Sequence, residues 1–201
     1  MAFERSLSVA EARESEALLA YAMNGEALPF QHGFPVRVIV PSWYAAASVK
    51  WLTEIEVVDQ PFEGHYQSER YYLEREVDGH VHKKPLTLES VRSLITEPAE
   101  EAQIDHGELA MRGVAWSGEA PIARVEVRLD DGPWQEARMR GEPKRHSWQW
   151  WELITGVDRP GNYLIRARAS DMNGRIQPES PEWNRLGYCN NAIQTVKIVV
   201  H

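Results

Sequence analysis

Six segments rich in Val, Ile and Trp follow one another at short intervals in the second half of this chain, and their spacing constrains the fold more than any other feature. Apolar and polar residues largely alternate within them, as in strands buried on one face. The predicted strands span residues 107–116, 122–129, 134–140, 147–154, 162–170 and 192–200. The dipeptides Asp131-Gly132 and Asn173-Gly174 are typical of the turns between strands. The pattern predicts a β-sandwich of immunoglobulin-like type, in which Tyr163 would form a tyrosine corner.

The first 58 residues carry a different pattern, which mixes helix and strand signals. Ser8 and Glu11 have the spacing of a capping box, and Asn24-Gly25 is typical of a tight hairpin turn. The apolar residues 36–40 predict a buried strand, and the alternation over 49–57 predicts a half-buried strand. Residues 59–92 are polar and aromatic, and we expect a connection with a weak hairpin near 77–81. The first segment is therefore predicted to be a small α+β unit.

The composition excludes several classes of function. With 22 Lys and Arg against 30 Asp and Glu, the formal charge is -8, which argues against a nucleic-acid partner. A single cysteine excludes an internal disulfide framework, and no apolar run is long enough to predict a membrane span. The first residues lack the pattern of a signal peptide, which leaves a periplasmic or a cytoplasmic location open.

Two short motifs in the first segment offer donors suited to an anionic, heteroaromatic ligand. The first is His32-Gly33-Phe34-Pro35 with Arg37 two residues later, and the second is Ser48-Val49-Lys50. A guanidinium binds phosphate in a bidentate fashion, and a lysine adds a point charge.

These motifs, together with their 16-residue offset, resemble the cofactor-binding signature of the sulfite oxidase family. The resemblance implies that His32, Arg37, Ser48, Val49 and Lys50 contact a molybdenum-molybdopterin cofactor. It also implies a mainly β chain: residues 1–58 as a small α+β remnant of the molybdopterin domain, 59–92 as a connection, and 93–201 as an immunoglobulin-like dimerisation domain.

The resemblance also assigns two residues to catalysis. Counting on from His32 without a gap, Tyr71 matches the tyrosine that lies near the metal and the substrate in this family, although Tyr72 leaves the register open by one. Arg70 is a candidate cation beside it. The family also places an arginine in the anion pocket from a Trp-Asn-Leu-Arg-Gly context. Here Arg185 is displaced by one position within Trp183-Asn-Arg-Leu-Gly.

The cysteine that ligates molybdenum in this family lies upstream of the histidine motif, whereas Cys189 lies far downstream. The resemblance therefore implies the C-terminal portion of an oxygen-atom-transfer enzyme acting on sulfite or a related substrate, inactive as this chain alone. Implied partners are a second copy, a cysteine-bearing N-terminal half and an electron-accepting cytochrome. The alternative is a non-catalytic dimerisation or interaction module.

Other features have plainer interpretations beside functional ones. Cys189 is interpreted as a small buried side chain or a simple thiol, because no partner motif completes a metal site. His80 and His82 share one strand face and could bind zinc, yet no third ligand is suitably spaced, so we interpret them as a solvated hairpin. The tryptophans, especially Trp148, Trp150 and Trp151, suit core and dimer packing, with a carbohydrate platform as a third hypothesis.

Overall fold

The computed structural model describes residues 2–201, and the chain divides into two compact units. The first comprises Met1–Glu89 together with Trp183–Tyr188, and the second comprises Ser90–Glu182 together with Cys189–His201. No helix of the described residues has the length and apolar character needed to cross a membrane.

The first unit is built from short elements joined by irregular segments. Its helices and strands are α1 (Val9–Glu14), β1 (Leu18–Ala20), β2 (Ala22–Met23), β3 (Glu26–Ala27), β4 (Arg37–Ile39), α2 (His65–Ser68), β5 (Tyr72–Val77) and β6 (His80–Pro85), with 3-10 turns at Phe30–His32 and Ala45–Ala47. Three antiparallel pairs form, β1 with β4, β2 with β3 and β5 with β6. A small buried cluster of Val40, Trp43 and Ala47 packs beside β4.

Several local predictions for this unit are confirmed. The Ser8 hydroxyl accepts a hydrogen bond from the Glu11 amide, and the Glu11 carboxylate accepts one from the Ser8 amide, so the capping box begins α1 as expected. Asn24 and Gly25 form the turn between β2 and β3, with positive φ angles of 54° and 84°. The weak hairpin expected at 77–81 is the tip of the longer β5–β6 hairpin.

The strand predicted over residues 49–57 is wrong. Only its start lies along β4, where the Val38 amide donates to the Val49 carbonyl and the Leu52 amide donates to the Val36 carbonyl. Trp51 then adopts a positive φ of 52°, and residues 53–58 are irregular and exposed. The alternating pattern was misleading because a strand needs a paired neighbour, and the chain turns away from β4 at Trp51.

The second unit is a two-layered β-sandwich, which confirms the predicted mainly β, immunoglobulin-like fold. Its strands are β7 (Arg92–Glu97), β8 (Ala102–Ile104), β9 (Gly107–Trp116), β10 (Ile122–Leu129), β11 (Gln135–Glu136), β12 (Arg138–Arg140), β13 (Gln149–Val157), β14 (Gly161–Asp171) and β15 (Gln194–Val200). One sheet has the order β11-β10-β14-β15-β8, and the other has the order β12-β13-β9-β7. All pairs are antiparallel except β15 with β8.

The core of this unit follows from the alternation in its strands. Alternate residues of β9, β13, β14 and β15 point inward and are fully or almost fully buried, among them Met111, Trp151 and Ile165. Gly113 makes room for the large indole of Trp151, since a Cβ at this position would lie 2.3 Å from Trp151 Cζ2. Buried Gln177 joins the two sheets: its Oε1 accepts hydrogen bonds from the amides of Ser93 in β7 and Ala169 in β14.

The predicted strands of the sandwich mostly agree with those observed, with one instructive error. The strands at 107–116 and 122–129 have the predicted bounds, and the hydroxyl of Tyr163 donates to the Arg159 carbonyl at 2.8 Å, which confirms the tyrosine corner. The single strand predicted at 134–140 is wrong. It is two strands, β11 and β12, which belong to different sheets because the chain crosses the core at buried Ala137.

Candidate functional site

The turn that contains His32 and Gly33 is the tightest point of the first unit. The 3-10 turn Phe30–His32 ends at Gly33, whose φ is 108° and whose amide donates to the Phe30 carbonyl at 3.0 Å. A Cβ on Gly33 would lie 3.1 Å from the Cβ atoms of both Arg37 and Lys50. The backbone therefore approaches these two cationic residues as closely as only glycine allows.

The segment Ser48-Val49-Lys50 lies against β4, so both predicted motifs meet at this turn. Besides the Val38-to-Val49 bond, the Val40 amide donates to the Ser48 hydroxyl at 3.0 Å. Ser48 and Val49 are half-buried, while Lys50 is exposed. The hydrogen bonds fix the register between the two segments and set Lys50 beside Gly33.

Two cationic side chains converge on the turn, and their described hydrogen bonds go to backbone carbonyls rather than to carboxylates. Arg37 donates from Nη1 to the His32 carbonyl, from Nη2 to the Ser48 carbonyl and from Nε to the Val38 carbonyl. Lys50 Nζ donates to the Gln31 carbonyl at 2.9 Å. A guanidinium has five N–H donors and an ammonium has three, so both groups retain donors for an anion.

An exposed aromatic pair borders the same turn. Trp51 donates from its indole nitrogen to the Phe30 carbonyl at 3.0 Å, and the two rings lie 5.4 Å apart. Lys50 Nζ lies 4.9 Å from the centre of the Trp51 ring. The turn thus combines positive charge, spare N–H donors and a flat apolar surface.

Tyr71 lies in an aromatic cluster of the same unit. Its ring centre is 5.5 Å from that of Tyr188, 6.3 Å from that of Tyr66 and 6.0 Å from that of Phe3. The Arg5 guanidinium carbon lies 5.8 Å from the Tyr71 ring centre, and Arg5 donates to the carbonyls of Tyr66 and Leu86. Burial lowers the pKa of Arg5. The backbone of Tyr71 has a positive φ of 46°, a strained conformation for a non-glycine residue.

Arg185 contacts the next residue in the chain, Tyr72, rather than Tyr71. Its Nη2 donates to the Tyr72 hydroxyl at 2.7 Å, and its Nε and Nη2 donate to the two carboxylate oxygens of Glu74, both at 3.1 Å. The hydrogen bond from Arg185 lowers the pKa of Glu74, and the same bond raises the pKa of Arg185. Tyr72 is itself almost fully buried, which suits an anchor for Arg185.

The candidates with plainer interpretations lie apart from a metal site. Among residues 2–201 no group of three or more His, Cys, Asp or Glu side chains could hold a metal ion. His80 and His82 are exposed on β6, and Cys189 is half-buried with a positive φ of 58°.

Two family models cover most of the chain. The model described as "Oxidoreductase molybdopterin binding domain" matches residues 1–66, and that described as "Mo-co oxidoreductase dimerisation domain" matches residues 84–201. The chain belongs to the molybdopterin oxidoreductase family that includes the sulfite oxidases. The resemblance drawn from the sequence is thereby confirmed.

Relatives within this family differ in what their names say they act on. Human mitochondrial sulfite oxidase is 38% identical over 99% of this chain and 39% of its own length. The nitrate reductase [NADH] of Lotus japonicus is 32% identical over 90% of this chain and 23% of its own length. The chain thus spans about two fifths of the sulfite oxidase.

A solved structure shares the fold. The sulfane dehydrogenase SoxCD of Paracoccus pantotrophus superposes with a TM-score of 0.79 and 32% identity, over 89% of this chain and 47% of that chain.

The residues at the Gly33 turn fit the phosphate end of the family's pterin cofactor. Gly33 leaves space for close approach, and Arg37 and Lys50 retain N–H donors beside exposed His32. Donors of this kind suit an anionic oxygen. The thiolate that the family uses as a metal ligand has no counterpart in this cluster, because the one cysteine of the sequence is Cys189.

Sequence reasoning missed Arg5 and Glu74, which contact the two residues assigned to catalysis. Arg5 precedes Tyr71 by 66 positions, and Glu74 precedes Arg185 by 111. No local motif links such distant positions. Only the unusual placement of an arginine before the apolar residues of the first segment could have singled out Arg5.

Proposed function

We propose that this chain contributes the pterin-binding half of a molybdenum site, and the subunit interface, to an oxygen-atom-transfer enzyme of the sulfite oxidase type. The observation that carries the proposal is the convergence of His32, Arg37 and Ser48-Val49-Lys50 on the Gly33 turn. When bound, the molybdenum-molybdopterin group supplies oxygen-atom transfer and two-electron exchange. Arg37 and Lys50 neutralise its phosphate, and the backbone at Ser48 and Val49 fixes the position of the two cations.

The thiolate ligand of the metal comes, in this proposal, from a cysteine-bearing partner segment outside the 201 residues. Cys189 is half-buried in the second unit and is not assigned to the site. This chain alone is therefore expected to bind the cofactor weakly and to be inactive. The need for the partner follows from the ligand set and not from any feature of the chain's ends.

Tyr71 and Arg185 are proposed to act on the substrate, an oxyanion such as sulfite. A phenol can donate a hydrogen bond to a substrate oxygen, and a guanidinium can bind its negative charge. Arg5, which lies against the Tyr71 ring, is a better candidate cation beside Tyr71 than exposed Arg70. Arg185 is paired with Glu74, so an oxyanion has to compete with a carboxylate for its donors.

The assembly that we propose is a homodimer formed by the second unit, with electrons leaving to a separate cytochrome. The dimer rests on the match to a dimerisation domain. Because the relatives include both sulfite oxidases and a nitrate reductase, the substrate class is an oxyanion of sulfur or, less directly supported, of nitrogen.

One observation favours a second function, that of a non-catalytic dimerisation module. Arg37 and Lys50 already bond to backbone carbonyls, so the Gly33 turn is stable without any ligand. Such a module would keep the turn for structural reasons and would not bind the pterin.

The two functions are distinguished by titrating the purified chain with molybdopterin. We expect binding to change Trp51 fluorescence, taken as the difference between the chain and its Trp51→Phe variant, because Trp51 borders the turn. Lys50→Ala and Arg37→Ala should each weaken binding about tenfold or more, since each removes a charge-assisted contact. Lys84→Ala, an exposed lysine on β6, is the matched control and should leave binding unchanged. Equal binding by all variants, or no binding, would favour the non-catalytic module.

A further inference from the structure

The outer face of the four-stranded sheet in the second unit differs in character from that of the five-stranded sheet. Trp148, Trp150 and Ile154 lie on or beside this face and are 62%, 52% and 50% exposed. Trp148 stacks on half-buried Trp116 with a distance of 5.8 Å between ring centres. Large exposed apolar patches of this kind mark interaction surfaces.

The ladder shows that these apolar residues are contiguous. Leu94, Val114 and Trp150 are directly paired across β7, β9 and β13, and all three lie on the outward side of the sheet. Val114 is 4% exposed although it faces outward, so its larger neighbours cover it. Trp116 and Ile154 lie on the same side, two or four positions along their strands. The outer face therefore has an apolar centre rather than scattered apolar residues.

The charged residues within this face neutralise one another. Glu152 accepts hydrogen bonds from Arg112 Nε at 2.7 Å and Arg140 Nη2 at 2.8 Å, and Arg112 Nη1 also contacts Glu97 at 2.6 Å. These bonds lower the pKa of Glu152, with Arg140 the larger cause. Two arginines and two glutamates give this network no net charge, whereas the whole chain carries -8. A second copy can approach here without charge repulsion.

The outer face of the five-stranded sheet is built differently. Arg124, Glu126, Arg128 and Arg168 alternate along its strands, and Arg168 pairs with Glu126 at 2.9 Å. Arg128 and Arg168 both cover the ring of Trp134, at 4.6 and 4.2 Å from its centre. Charge rather than apolar surface meets the solvent there, so that face is not suited to a stable apolar contact.

We infer that the outer face of β12-β13-β9-β7, centred on Trp150, is the surface through which two copies of this chain form a homodimer. The inference rests on the proposed function, whose dimer it locates, and the occupant follows from the match of residues 84–201 to a dimerisation domain. In a twofold dimer the same patch lies on both subunits, so the patch has to be self-complementary. An apolar centre with exposed tryptophans, surrounded by internally paired charges, meets that requirement.

The test is sedimentation velocity of the full chain and of three Trp→Arg or Ile→Arg variants over a range of concentrations. We expect the chain to sediment as a species of twice 23.0 kDa. Trp150→Arg and Ile154→Arg should raise the dimer dissociation constant about 30-fold or more, since a buried aromatic anchor is replaced by an unpaired charge. Trp183→Arg alters a tryptophan that is 78% exposed in the first unit and should leave the dimer intact.

Hydroxyl-radical footprinting of the unaltered chain supplies a second measurement that needs no variant to fold. Raising the concentration through the dimer transition should protect Trp148 and Trp150 while Trp183 stays reactive. A dimer whose stability is unchanged by both variants, with Trp150 equally reactive at all concentrations, would overturn this face and leave the proposed dimer standing. A chain that stays monomeric would overturn both, as would binding of cellohexaose by monomers through Trp148 and Trp150.

Discussion

At the scale of single residues, Gly33 determines how closely two cations approach one turn of backbone. Its φ of 108° and the 3.1 Å contacts of a hypothetical Cβ are two separate constraints, one of conformation and one of space. Either constraint alone would be tolerated at some cost, but together they leave no room for a side chain. The spacing between Arg37 and Lys50 therefore depends on the absence of an atom.

Replacing Gly33 with Ala should lower both stability and cofactor affinity. The left-handed conformation costs about 1 kcal/mol for a residue with a Cβ, and the contacts with Arg37 and Lys50 add to this cost. Gly25→Ala is the matched control, because Gly25 has a φ of 84° with nothing within 4 Å of its Cβ position. Urea unfolding should show the larger loss for Gly33→Ala. Equal losses would mean that the space around Gly33 is unimportant.

At the scale of secondary-structure elements, the ion-paired network on the four-stranded sheet ties three strands together. Glu152 on β13 bonds to Arg112 on β9 and Arg140 on β12. The pKa of Glu152 lies below the ordinary carboxyl value of 4.5 in the folded chain. A carboxyl whose pKa is lowered by folding stabilises the folded state above that ordinary value, and this contribution is lost as the pH falls through the lower, folded value.

Acid should therefore weaken the second unit in part through Glu152. We expect the free energy of unfolding to fall from pH 4.5 downward, and to fall less steeply in Glu152→Gln, which has no proton to gain. Glu136→Gln, at an exposed position of β11, is the control and should keep the slope of the unaltered chain. Urea unfolding at a series of pH values measures this. Identical slopes for all three proteins would contradict a role for the network.

The elements also show how much could be predicted from the sequence. The strands of the sandwich were predictable because inward residues such as Ile165 and outward residues such as Arg166 alternate, and because Tyr163 belongs to a local motif. The sheet change at Ala137 was not predictable, since alternation gives the period of a strand but not its neighbour. The Gly33 turn followed from a resemblance, whereas the pairs Arg5–Tyr71 and Glu74–Arg185 depend on tertiary structure, which no local pattern records.

At the scale of the whole molecule, the first unit exposes apolar side chains that a protein of its size would normally bury. The most exposed include Tyr21, Phe30, Ile55 and Val57, at 75%, 68%, 65% and 87%. Several of them surround the Gly33 turn or follow it in the irregular segment 53–58. We infer that the cysteine-bearing partner segment covers this surface in the complete enzyme.

Hydrogen exchange should therefore report the partner at residues 53–58. In the chain alone these amides lack a strand partner and should exchange rapidly, whereas those of β14 and β15 should be protected. Adding the cysteine-bearing segment from the same genome should slow exchange at 53–58 and leave β14 unchanged. Strong protection of 53–58 in the chain alone would contradict the inference.

The most direct test of the central claim, a half-site joined to a dimer, is native mass spectrometry of this chain co-expressed with that cysteine-bearing segment. We predict one particle that contains two copies of each chain and two molybdenum-pterin groups, and loss of the cofactor mass without loss of the dimer when Arg37 and Lys50 are both changed to Ala. Cofactor retained at full stoichiometry in that double variant, or a cofactor-loaded partner segment that never associates with this chain, would contradict the claim.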